Sequence, residues 1–257
     1  MGGEDVVQKN AVLRGLGVAA FWLLLWQALS MVFHSALILP SPVDTAKSLV
    51  RLAGQGVFWT SSLLSLLRIG AGYVAAVLLG TALGALTAFS PFADTLLRPL
   101  RGIMKATPVA SFILLVLLWL RTGAVPAFTS FVMVLPLVWA DVQEGIRATD
   151  ARLIEMASLF RFGRKKTLLR VYLPSITPHL LAACATGLGF AWKAGVAAEV
   201  LARTAGSIGK NLIESKNYLE TPDMFAWTTV VIALSMLFER VFVRLLARIR
   251  GGKGGAL

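Results

Sequence analysis

The sequence predicts an all-α polytopic membrane protein. It reads as a single domain over residues 1–257, with six transmembrane helices and a short cytoplasmic helix between the fourth and fifth. Three observations predict this fold class. Apolar residues make up 57% of the 257 and the mean hydropathy is +0.75, above the roughly 45–50% apolar usage of soluble domains. The apolar residues gather into runs separated by proline, glycine or charged breaks. Lys and Arg outnumber Asp and Glu by 25 to 13, and they crowd into alternate loops, the bias that orients a membrane protein.

Residues 1 to 14 are polar, with Glu4, Asp5, Lys9 and Arg14. Residues 15 to 37 are then apolar for long enough to cross a hydrocarbon layer of ~30 Å. This run exceeds the h-region of a signal peptide, about 7–15 residues, and lacks a small-x-small cleavage site, so it is expected to be a retained first span. Pro40-Ser-Pro42 breaks the helix, and 43 to 59 alternate polar and apolar groups as a short helix at the membrane surface does. The second span is expected over 61 to 89. Ala76, Gly80, Gly84 and Ala88 recur there every four residues and make a smooth face for close packing. Pro91 ends it, and a loop with Arg98, Arg101 and Lys105 follows. Runs 106 to 120 and 124 to 142 are the expected third and fourth spans, made irregular by Pro108, Pro126 and Pro136. Irregular helices in lipid need partners for the freed backbone groups. The fifth span, 175 to 200, again spaces small residues by four, at Ala183, Gly187, Ala191 and Gly195. A polar loop, 201 to 222, leads to the sixth span, 224 to 247, and a basic, Gly-rich tail expected to fray.

Between the fourth and fifth spans lies a polar island, 150 to 174. Counted from Arg147 it carries seven basic residues. Asp150 is a good N-cap, and Leu153, Met156, Ala157 and Phe160 fall at i, i+3, i+4 and i+7, one apolar stripe along a short helix. Gly163 can end that helix in a left-handed conformation. A second amphipathic run, 167 to 173, leads to Pro174, which suits the first turn of the next helix and forbids continuation from the previous one. Two readings remain open: a solvated basic loop, or a helix whose apolar stripe meets a partner.

Glu155-Met156-Ala157, followed at the matching interval by Val171-Tyr-Leu-Pro174, resembles the EAA loop of permease subunits of ATP-binding-cassette importers. LPSP near residue 40, SLLRIGAGY at 65 to 73, and AAEV followed by GSIG at 197 to 209 extend the resemblance over nearly the whole chain. It is most similar to the nitrate, sulfonate and taurine branch. The resemblance implies that Leu153, Glu155, Met156, Ala157, Phe160 and Gly163 form a coupling loop that docks on a nucleotide-binding ATPase subunit. Where the family usually has Gly six residues after the Glu, this chain has Arg161. The resemblance further implies two ATPase subunits, a second permease subunit as in a homodimer, an extracytoplasmic solute-binding protein, and a place in a bacterial-type inner membrane. It puts Lys193, with Glu199, beside the translocation pathway.

Charge sets the orientation and excludes other classes. With both termini cytoplasmic, 17 Lys and Arg fall on inner segments and 7 on outer ones, leaving Lys193 inside a span. Basic residues flanking apolar spans answer to the anionic inner leaflet, not to nucleic acid. One cysteine, Cys184, allows no intramolecular disulfide, and two histidines are too few for a metal cluster. There is no G-x-x-x-x-G-K-[ST] loop, H-E-x-x-H or nucleophile elbow, so no cofactor is expected in this chain and ATP with Mg belongs to the partner. Asp141, Lys193, Glu199 and Glu239 stand in or near the membrane, where a charge needs a partner or water. Most sit near span ends, where interfaces and ion pairs such as Glu239 with Arg240 satisfy them. Lys193 can attract an anion, snorkel outward, or pair with an acid. A secondary transporter or channel, with ion sites in the broken third and fourth segments, is the competing class.

Overall fold

The computed structural model describes residues 2–251, with side chains from 14 to 244 apart from 15, 16, 242 and 243. These residues are all-helical, in the order α1 (Gly2–Phe33), α2 (Pro42–Ala53), α3 (Gly56–Phe89), α4 (Pro91–Ala106), α5 (Val109–Val116), α6 (Val125–Arg147), α7 (Ala151–Leu159), α8 (Arg164–Thr167), a π-helical turn Leu168–Tyr172, α9 (Leu173–Ala202), α10 (Ile208–Asn217) and α11 (Thr221–Gly251). Four helices among them are long and apolar enough to cross a membrane: Gly56–Phe89, Val125–Arg147, Arg164–Ala202 and Thr221–Val241. A fifth span is available if α4 and α5, bent by 103° at their junction, count as one broken crossing.

Two compact units are present: the chain up to Trp59 together with Asn211–Val230, and Thr60–Lys210 with the chain from Val231. In the first, the LPSP segment is tied down from several sides. Trp26 Nε1 donates to the Pro40 carbonyl at 3.1 Å, Ser30 Oγ to Leu39 at 2.9 Å and Thr221 Oγ1 to Leu37 at 3.0 Å. Ser41 caps α2 by accepting from the Asp44 amide, and Arg51 pairs with the buried Asp223.

The second unit is built on α6 against α9, with α3 laid alongside. Ile69, Tyr73, Ala76, Val134, Val138, Leu188, Ala191 and Trp192 form its core. The spaced small residues do the packing. A Cβ at Gly84 would lie 2.8 Å from Val142 and 2.9 Å from the Trp139 carbonyl, so α3 approaches α6 at glycine distance. Gly187 faces Val134 and Gly195 faces Ile69 and Ser130 in the same way.

Several elements differ from expectation. The first apolar run covers Gly17–Phe33 within α1, which itself begins at Gly2, and it is shorter than the expected 15 to 37. The segment 91–105 is not a loop but α4, capped by Ser90 and started by Pro91, with Phe92, Leu96, Leu100 and Ile103 exposed along one face. The third span, 106 to 120, is not one helix: Thr107 is extended, as a residue before proline prefers, and α5 covers only Val109–Val116. The polar loop 201 to 222 contains α10. Pro174 does not interrupt the chain, because a π turn precedes it. Leu173 N–H bonds to Leu168 five residues back, and the widened turn accommodates a ring that lacks an N–H and crowds the carbonyl four residues earlier. The tail beyond 251 lies outside the described residues.

Candidate functional site

The island folds as a helix, a turn and a second helical start. Asp150 accepts from the Arg152 amide at 2.9 Å and opens α7. The helix does not end at a left-handed Gly163, whose φ of −65° makes it the extended residue before α8. Arg161 takes the left-handed position with φ +50°. Around it the Arg161 amide donates to Ser158 at 3.0 Å and the Phe162 amide to Ala157 at 2.8 Å. This is the double bond pattern of a Schellman turn, centred six residues after Glu155.

The predicted apolar stripe divides. Ala157 is buried, as is Val171 further along the loop, whereas Leu153, Met156 and Phe160 are exposed. Leu159, at 81% exposure, and Phe160, at 71%, project furthest. Leu159 was not among the expected contact residues, since it lies off the i, i+3, i+4, i+7 pattern that the inward-facing Ala157 anchors. Glu155 is exposed on the same helix.

Of the two expected pathway residues, Lys193 is exposed on α9, between the inward-facing Trp192 and Ala194, and pairs with no described carboxylate. Glu199 is wholly buried. Its Oε2 accepts from Ser65 Oγ at 2.9 Å and from the Gly209 amide at 3.1 Å, while Ser65 Oγ accepts from the Ile208 amide at 3.0 Å. Glu199 and Ser65 thus take up the free amides at the start of α10, where a carboxylate is favoured. A Cβ at Gly209 would collide with Glu199. Sequence motifs AAEV and GSIG are therefore two halves of one joint. Glu239, by contrast, is exposed and forms no ion pair with Arg240 or Arg244.

A cluster the sequence reading missed centres on Asp94 of α4, which is buried. Its carboxylate accepts from Arg98 and Arg147 at 3.0 Å each and from Gln143 Nε2 at 2.8 Å, with Arg101 at 3.9 Å. Gln143 also donates to the Thr87 carbonyl at 3.3 Å and accepts from Arg101. Trp139 donates to Thr87 Oγ1 at 2.8 Å, and Arg101 lies over the Trp139 ring. The signal was present: Trp139, Gln143 and Arg147 are spaced by four on one helix, and Asp94, Arg98 and Arg101 fall at i, i+4 and i+7, one face of another. Beside the α4–α5 bend is a cavity of about 270 Å³, lined by Met104, Lys105, Thr107, Met133, Leu137 and Phe190 among others. Among the described residues no group of His, Cys, Asp and Glu could hold a metal ion.

Residues 76–251 match the profile of the family described as binding-protein-dependent transport system inner membrane component. A relative from Bacillus subtilis (strain 168), named for aliphatic sulfonates transport permease protein SsuC, is 27% identical over 242 residues, 92% of this chain and 86% of that one. The taurine transport system permease protein TauC of Escherichia coli (strain K12) is 28% identical, covering 90% of this chain and 86% of its own. In fold, the chain is similar to a solved bacterial ABC transporter involved in import of the acidic polysaccharide alginate. The TM-score is 0.57 at 14% identity, over 96% of this chain and 98% of that one.

Proposed function

This chain belongs to the binding-protein-dependent transport system inner membrane components, and on that premise we propose that it builds the translocation pathway and receives the work of ATP hydrolysis through α7. It is the permease of an ATP-driven importer in the sulfonate, taurine and nitrate branch, a multi-pass membrane protein and not an enzyme. The whole chain, 1–257, acts as one transmembrane domain of six crossings with both termini in the cytoplasm. The 17 to 7 division of Lys and Arg supports that threading. Two such chains, two ATPase subunits holding ATP and Mg, and an external solute-binding protein make the working importer, which moves its solute by alternating access.

The observation that carries this reading is the outward apolar face of α7. Leu153, Met156, Leu159 and Phe160 offer to water what a groove in another protein would cover. Glu155 stands beside them to meet a donor on that partner. The test is copurification: the chain, coexpressed with a nucleotide-binding subunit from its own organism, is expected to retain that subunit in detergent. A chain that transports without any ATPase subunit would instead be a secondary transporter or channel.

The solute is a small sulfonate or a comparable compact anion. The names of two relatives support this, as does an exposed lysine, Lys193, on a membrane helix. Lys193→Met is expected to depress taurine or ethanesulfonate uptake in proteoliposomes while basal hydrolysis persists. Unchanged uptake would leave Lys193 snorkelling toward the interface. Glu199, closed within its joint, serves the pathway by holding α10 and not by meeting solute.

A further inference from the structure

The Asp94 cluster joins three helices, and one of its members sits where α6 gives way to α7. Arg147 is the last residue of α6, and α7 begins four residues later. Arg147 reaches Asp94 on α4 and the Thr87 carbonyl near the end of α3. Asp94 is satisfied by donors from two helices, and Gln143 spends both amide hydrogens and its oxygen on the same network. Asp94 and Gln143 are buried, whereas Arg147 is half exposed and Arg98 more so. Removing Arg147 therefore leaves a less well paired carboxylate away from water, while the arginines keep access to solvent. Beyond Asp94, α4 runs to the 103° bend at Thr107 and Pro108, where the cavity beside Lys105 opens.

We propose that Asp94 and Arg147 form a latch that makes α4 follow the coupling helix. A displacement of α7 is passed to the end of α6, across the ion pair to α4, and so to the bend and its cavity. Asp94 is a positioning residue here; it meets neither solute nor nucleotide. The inference rests on the reading of α7 as the coupling helix. It also separates two bonds that look alike. Arg98 and Arg147 both donate to Asp94 Oδ2 at 3.0 Å. The first lies within α4, four residues along the same helix, and joins nothing to anything else. The second joins α6 to α4.

The experiment uses the assembled complex of permease and ATPase subunits with Cys184→Ala and a reporter, Lys105→Cys, on α4. Labelling of the reporter by a thiol reagent is timed with and without ATP and vanadate. Trapping nucleotide is expected to change the rate about fivefold or more, the lower end of ordinary coupling between sites. Arg147→Gln and Asp94→Asn should each reduce that change severalfold while the ATPase subunit stays bound and still hydrolyses ATP, the bonds of Gln143 to Asp94 and Arg101 remaining as a weaker link between α6 and α4. Arg98→Gln should preserve it, and the Asp94→Asn, Arg147→Gln double variant should be no worse than either single change, as members of one linkage behave. If Asp94→Asn does not assemble, Arg147→Gln alone decides. The latch is overturned if the reporter ignores nucleotide, if Arg147→Gln leaves its response intact, or if Arg98→Gln destroys it equally. Failure of the underlying reading looks different: Phe160→Ala on α7 would then leave both ATPase binding and the reporter's response unchanged.

Discussion

Arg161 holds a backbone conformation, φ +50°, that glycine adopts freely and a residue with a Cβ adopts at a cost. Two amide bonds, from Arg161 to Ser158 and from Phe162 to Ala157, keep it there. Arg161→Gly is therefore expected to stabilise the turn by about 1 kcal/mol. Hydrogen exchange at the Phe162 amide should slow roughly fivefold, and unchanged exchange would mean that the turn carries no strain. The interval from Glu155 to Pro174 was legible in the sequence, but the identity of the turning residue was not. Glycine at 163 drew the assignment on propensity, whereas hydrogen bonds to the preceding helix fixed the turn two residues earlier. Asp94 escaped notice for a related reason. A lone acid among arginines reads as a solvated loop until its helix is seen against Gln143 and Arg147.

At the level of elements, α7 makes the most direct prediction. Phe160 is 71% exposed, and burying such a ring contributes roughly 1.5–3 kcal/mol. Phe160→Ala should then weaken retention of the ATPase subunit by about one to two powers of ten. Surface plasmon resonance or quantitative copurification measures this, and wild-type affinity would remove α7 from the interface. The long apolar helices α3, α6, α9 and α11 were legible because length and hydropathy alone identify them, and their spaced small residues because burial follows helical period. The helices α4 and α10 were not. In α4, basic residues hid an amphipathic row, Phe92, Leu96, Leu100 and Ile103, that lies on one face. In α10, Ser207 caps the Lys210 amide as a local start signal, but the acceptors for the first two amides come from Ser65, 143 residues back, and from Glu199 on the preceding helix, so a helix inside this polar loop was not legible.

For the whole molecule, the asymmetry of basic residues predicts which surfaces meet which compartment. In a Cys184→Ala background, Lys165→Cys should resist an impermeant thiol reagent in intact cells and Lys216→Cys should react. The reverse pattern would invert every loop and place α7 out of reach of ATP. The joint between Glu199, Ser65 and the start of α10 bears on how such a molecule comes to exist. Ser65 waits 143 residues for the Ile208 amide and 134 for the Glu199 carboxylate. During synthesis the helix bearing Ser65 is complete long before its partners leave the ribosome, so this part of the bundle closes only after the chain has been made through Gly209. A polypeptide broken off between Glu199 and Ile208 keeps the Glu199 carboxylate and the Ser65 hydroxyl without the two amides that donate to them, so its last helix is left with an unfilled polar end.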